Sequence, residues 1–174
     1  MPGSVTSPPH FRALIIHHIR DLIALIVYVF IYVFIVVSIA CTNNSDDRVQ
    51  LRLVNAAGQT ATLEAEVADT AAEREQGLTG RESLAADEAL LLVFEGRGRG
   101  LWMRDTALPL SAAFIDRCGK IVALVDLQPF STEIHQPDAD YRFALEVNHV
   151  WFRARAIAAG DRLELPEELC SAGC

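Results

Sequence analysis

LSAAFI at residues 110–115 and KIVALVDL at residues 120–127 flank the tetrapeptide Asp116-Arg117-Cys118-Gly119. Both runs are apolar and of strand length, and the second is rich in Ile, Val and Leu. The four residues between them are turn formers. Strand, turn, strand is therefore the reading at the centre of the chain, and it sets the fold class for what lies around it. Upstream, Ala89 to Phe94 is a continuous apolar run, read as a buried strand, and Leu101 to Met103 is read as a short strand ended by the approach to Pro109. Gly96, Gly98 and Gly100 alternate with Arg97 and Arg99 between them, which predicts a flexible hairpin tip. Further upstream, Val49 to Leu53 and Thr62 to Val67 alternate apolar and polar residues across the turn Asn55 to Gly58, a hairpin pattern. Thr70 with Glu73 forms a capping box, so Ala71 to Gln76 is a short helix that Gly77 ends. Downstream, Pro129 to Asp140 is a loop, Tyr141 to Val147 an alternating strand, Val150 to Ala158 a short helix ended by Gly160, and Arg162 to Leu165 a last strand. Seven or eight short strands with two short helices predict a mainly β domain, a compact sandwich or barrel.

The chain has 174 residues, of which 51% are hydrophobic, so it is not a disordered chain. Its net charge is −8, from 15 basic and 23 acidic residues, and Lys120 is the one lysine. A surface this acidic is unsuited to neutralising phosphates, so nucleic acid is not an expected partner.

Leu22 to Ala40 is apolar throughout except for Ser38. As a helix those positions would span roughly 28 Å, close to the thickness of a bilayer core. Arg12 and Arg20 precede the run, and Asn43, Asn44, Asp46 and Asp47 follow it. The positive-inside rule therefore places residues 1–21 in the cytoplasm and the chain after the run across the membrane, on the periplasmic side. Ser38-Ile39-Ala40-Cys41 resembles a bacterial lipobox, with Ser38 where Leu is usual. Three fates fit: lipid on Cys41, an uncleaved anchor, or cleavage and secretion. The expected organisation is a cytoplasmic segment 1–21, a signal or transmembrane segment 22–40, a tether 41–47, a β-rich domain 48–166 and a cysteine-containing tail 167–174. From Cys41 on, the chain carries 13 basic and 22 acidic residues, a net −9. Anionic lipid repels such a domain, so the anchor must do the holding.

Arg74 with Gly77-Leu78 and Arg81, then Trp102-Met103 with Thr106, then Pro109-Leu110 before Phe114-Ile115-Asp116 make a set. Gly119-Lys120-Ile121, Leu145-Glu146-Val147-Asn148 and Gly160-Asp161 complete it. In order and spacing these marks resemble the bacterial and archaeal family called domain of unknown function 192, over roughly Leu63 to Leu165. The resemblance implies a compact β-rich domain, often exported or membrane-tethered, with no established activity. Three positions depart from the family pattern: Arg104-Asp105 stands for Lys-Asn, Ser111 for Asp, and His149-Val150 for Ala-Gly. If the family uses an aspartate at the Ser111 position, the resemblance implies that its step is lost here or moved to Asp105.

Trp102, Met103, Asp105 and Thr106 form the densest cluster of side chains suited to specific contacts: an indole face, a carboxylate and a hydroxyl. The competing reading makes Trp102 and Met103 core and Asp105-Thr106 a turn. Glu146 shares a strand face with Arg142 and Ala144, beside Asn148 and His149, the best acid–base arrangement in the chain. Its competing reading is a solvated or ion-paired glutamate, with Arg74 or Arg81 as partner. His135, Asp138, Asp140 and Cys118 match no metal spacing. The chain has no serine elbow and no P-loop, and no cofactor is expected. Cys41, Cys118, Cys170 and Cys174 leave disulfide pairing open. The expectation is a membrane-tethered module that binds a small ligand or an envelope protein near Trp102 and Glu146. The alternative is a small hydrolase or lyase using Glu146, Asp105 or His149.

Overall fold

The computed structural model describes residues 25–28 and 48–169. Residues 25–28 form one helical turn with exposed side chains. The rest of the apolar run 22–40, the segment 1–21, Cys41, Cys170 and Cys174 lie outside the described residues. Among those described, no helix is long and apolar enough to cross a membrane.

Seven strands make one sheet. β1 (Arg48–Val54) and β2 (Thr60–Ala68) form the expected hairpin, with Arg48 opposite Glu66 and Val54 opposite Thr60. Asn55 builds the turn: its Oδ1 accepts the amides of Ala57 and Gln59, so a side chain replaces the missing ladder partners. α1 (Ala71–Gln76) follows with both arms of its capping box in place between Thr70 and Glu73. β3 (Glu88–Val93) then runs parallel to β2. β4 (Leu110–Ile115) and β5 (Ile121–Leu127) form an antiparallel pair around the turn at Asp116, whose Oδ1 accepts the amides of Cys118 and Lys120. β6 (Phe143–Asn148) inserts between β3 and β4. α2 (Trp151–Ala154) and β7 (Arg162–Glu164) complete the chain order, and the spatial order is β5-β4-β6-β3-β2-β1-β7.

The sheet curls until its two edges touch at one corner. Lys120 bridges Arg162, the Leu163 amide donates to the Gly119 carbonyl at 2.7 Å, and the Ile121 amide donates to the Asp161 carbonyl at 2.8 Å. The result is a half-barrel rather than a two-sheet sandwich. Its hollow is filled by Leu51, Leu53, Leu91, Phe143 and Leu145, and α2 adds Trp151 and Phe152. The outer face of β3, β4 and β6 carries a second apolar layer, including Leu90, Ala112, Phe114 and Ala144, covered by irregular chain that contributes Leu78, Leu84, Leu101, Met103 and Tyr141. Strands buried on both faces lose the polar alternation that β1 and β2 keep.

Three local expectations change. Leu101 to Met103 is not a strand: one bridge, Leu101 to His135, ties it to the loop beyond β5. The helix after Val150 is a single turn, because Val150 and Ala156 take left-handed backbone angles that end it on both sides. The Gly96 to Gly100 loop is docked, not loose: the Gly98 amide donates to the Tyr141 carbonyl at 2.9 Å and the Tyr141 hydroxyl donates to the Arg99 carbonyl. A Cβ at Gly98 would collide with the Tyr141 ring, so glycine here serves close approach. Cys118 is disulfide-bonded.

Candidate functional site

β6 places Glu146 on the outer face of the sheet, flanked in register by Leu90 of β3 and Ala112 of β4. The residue is 6% exposed, and among the described residues its carboxyl has no hydrogen-bond or ion-pair partner. Burial alone pushes its pKa up to about 7. An unpaired carboxyl in apolar surroundings is costly, by several kcal/mol if it must ionise, and is uncommon in a core that serves packing alone.

The arginines expected beside Glu146 are engaged elsewhere. Arg81 pairs with Glu66 on β2, where Leu90 separates it from Glu146. That Arg81 bond, with a second from Arg48, holds Glu66 below the usual carboxylate range. Arg74 donates to the carbonyls of Asp69 and Val93 and lies over the Phe94 ring, so it fastens α1 to the sheet.

Asn148, two residues after Glu146 on the same face, donates from Nδ2 to the carbonyls of Leu84 at 3.1 Å and Ala85 at 2.7 Å. It thereby ties the covering chain to the end of β6. The other covering segment is the 101–106 stretch. Its amides bond to the loop after β5, Met103 N–H to Ser131 O at 2.9 Å, while the Phe130 amide donates back to Thr106 O at 3.0 Å. The two covers meet where the Gly80 amide donates to the Asp105 carbonyl.

The Trp102 to Thr106 cluster is divided by this arrangement. Met103 and Thr106 face inward and are buried. Trp102 is 42% exposed, with the Arg104 guanidinium 4.0 Å from its ring centre. Asp105 is exposed, 3.8 Å from Arg104, in a left-handed turn. His149 lies apart from Glu146: its Nδ1 is 3.6 Å from Asp126 on β5. Glu146, Asn148, Met103 and Thr106 thus belong to the covered face, and Trp102 and Asp105 to the outer surface of its cover.

Sequence reasoning passed over Asp126. It accepts the Ser111 hydroxyl at 2.6 Å, so the carboxylate beside position 111 is Asp126 and not Asp105. The two are register partners on β4 and β5, a pairing that the 116–119 turn made readable. Two open clefts lie away from Trp102. One of about 370 Å³ is lined by Asp126, Arg153 and Phe152 among others, and one of about 520 Å³ by Arg97, Arg117 and Arg142 among others. Among the described residues no three of His, Cys, Asp and Glu gather as a metal ion would require.

None of the curated proteins matches this chain. Among solved structures it is similar to a proposed transcription regulator from Sinorhizobium meliloti 1021, at 33% identity over 67% of this chain and 92% of that one, with a TM-score of 0.65. It shares its fold with a protein of unknown function from Novosphingobium aromaticivorans DSM 12444, at 22% identity over 68% of this chain and 85% of that one, with a TM-score of 0.64. The model of the DUF192 family, described as uncharacterized ACR, matches residues 52–165, which takes in β2 to β7 and the end of β1. The chain belongs to the family of the domain of unknown function 192.

Proposed function

We propose that this domain is a binding module whose ligand reaches the covered outer face of the sheet and engages Glu146. The observation that carries the reading is a glutamate more than nine-tenths buried whose carboxyl has no partner among the described residues. A ligand that donates a hydrogen bond or brings a positive charge supplies what the fold leaves out. Leu90 and Ala112 beside Glu146 suit a ligand with a compact apolar part. Entry requires the 77–85 and 101–106 covers to part from each other, where the Gly80 amide donates to the Asp105 carbonyl, and the first of them to leave the Asn148 side chain at the end of β6.

The test is a thermal-shift panel of divalent metals, sugars, amino acids, nucleotides and cell-wall fragments on the wild type and Glu146→Gln. A ligand at a hundred times its Kd stabilises by about 2.7 kcal/mol. A shift in the wild type that the variant loses supports the reading. A panel in which every shift survives in Glu146→Gln overturns it.

One observation favours a second reading. A carboxyl with a pKa of about 7 is poised for proton transfer at neutrality, as in a small hydrolase or lyase. Asp105 and His149 do not join it, so that enzyme would rest on Glu146 alone. Turnover of a ligand found by the panel, abolished in Glu146→Gln while binding persists, would select this reading.

The proposed setting is the outer side of a membrane, with residues 22–40 or a lipid on Cys41 as the tether. The apolar run and its flanking charges support it. Labelled palmitate on the wild type but not on Cys41→Ser identifies the lipid form. A chain that leaves the membrane fraction in alkaline wash, without label, defeats both forms of tether.

A further inference from the structure

The inner face of β4 carries a second polar group, on the opposite side of the sheet from Glu146. Ser111, 3% exposed, donates its hydroxyl proton to Asp126 Oδ1 at 2.6 Å and accepts the Val150 amide at 3.1 Å. Arg153 on α2 approaches the other oxygen of Asp126 at 3.4 Å. His149 Nδ1 lies 3.6 Å from Oδ1, buried and without a hydrogen-bond partner. Ser111, Asp126 and Arg153 border a cleft of about 370 Å³ whose apolar wall is Leu124, Phe152 and Ile157. That volume is within the range of small-molecule sites.

We propose that this cleft binds a free α-amino acid with an apolar side chain. The argument is one of charge and reach. Asp126 and Arg153 put opposite charges side by side, as an α-amino acid does with its ammonium and carboxylate. A ligand with only a cation would leave Arg153 facing it, and one with only an anion would face Asp126. A purely apolar ligand would cover both charges and satisfy neither. A zwitterion places its ammonium on Asp126 and its carboxylate on the Arg153 fork. The native Asp126–Arg153 contact is long, and the Arg153 side chain is 71% exposed, so the ligand displaces a weak pair. Leu124, Phe152 and Ile157 then receive the side chain.

The test is calorimetric titration of the full chain, in detergent, with L-leucine, N-acetyl-L-leucine and L-leucinamide. Capping either end of the amino acid is expected to weaken binding by about tenfold, the ratio that about 1.4 kcal/mol makes. Asp126→Asn and Arg153→Gln are each expected to do the same. Because Arg153 is exposed, its variant keeps the fold even if the Asp126 variant does not. Glu146→Gln is expected to leave leucine binding unchanged, which separates this cleft from the outer-face site. The proposal is overturned if leucine gives no heat up to about 10 mM, well above the millimolar affinity worth about 4 kcal/mol. It is equally overturned if the capped compounds bind as leucine does, or if Arg153→Gln binds as the wild type does.

Discussion

A carboxyl group between Leu90 and Ala112 is either neutral or costly, and pH decides which. In the unfolded chain Glu146 titrates near its ordinary value of 4.5, and in the folded domain at about 7. Between those values the folded state holds a proton that the unfolded state has released. Its contribution is therefore complete below about pH 4.5 and is lost as pH rises through about 7, a fall of about 3 kcal/mol. Glu66 and Glu88 act with the opposite sign: Arg81 holds the first below the usual range, and the Ala85 amide and Arg48 hold the second there. Their stabilisation is present above about pH 4.5 and is lost below it, so the two effects occupy different windows. Urea unfolding at pH 5 and pH 8 should show the wild type losing about 3 kcal/mol more than Glu146→Gln. Equal losses would mean that Glu146 is ionised and solvated in the folded protein. Asn148 gives a second test at this scale. Asn148→Ala removes both donors to the Leu84 and Ala85 carbonyls and should cost about 2 kcal/mol. It should also speed amide exchange across residues 78–88. Unchanged exchange there would show that the cover is held by its apolar contacts instead.

Elements differ in how much of them a sequence discloses. The capping box marks the start of α1 and Gly77 its end, and the limits of β4 follow from Pro109 and the turn at Asp116, because local chemistry fixes them. The split of Phe143, Leu145 and Val147 from Ala144 and Glu146 is legible too, since alternation is a property of one strand. The faces those residues meet are set by distant chain. Nothing local announces that β6 enters between β3 and β4, so the solvated or ion-paired alternative for Glu146 could be weighed only by composition. Leu101 to Met103 has strand composition but lies over the sheet instead of in it. The closing corner between β5 and β7 was equally out of view, although Gly119 signals it. Its φ is +83°, and a Cβ there would lie 2.2 Å from the Leu163 carbonyl oxygen. Gly119→Ala combines backbone strain with a collision against backbone and should cost about 2–4 kcal/mol. A loss under about 1 kcal/mol in urea unfolding would show that the corner yields easily and adds little to the half-barrel.

At the scale of the whole domain, stability should be graded across the sheet. β3, β4 and β6 are hydrogen-bonded on both edges and covered on both faces, by the filled hollow on one side and the irregular chain on the other. Their amides reach water only when both layers come away, which amounts to unfolding the domain. β5 has β4 along one edge and, at the other, is held through its first residue Ile121, which bonds to Gly160 and Asp161 beside the Lys120–Arg162 bridge, and no residue of α1 is buried. Local opening suffices to expose their amides. Hydrogen exchange should therefore find the slowest amides at 90–92, 111–114 and 143–147, all with one common free energy equal to that from urea unfolding. Residues 71–76 and 122–126 should exchange faster. Both proposed sites border the slow block without belonging to its moving parts: Glu146 and Ser111 stand on rigid strands, while the 77–85 and 101–106 covers and α2 lie at its boundary. A ligand at either site can then enter by moving cover or helix and leave the sheet intact. If residues 143–147 exchanged as fast as 71–76, the rigid floor that both sites require would be absent.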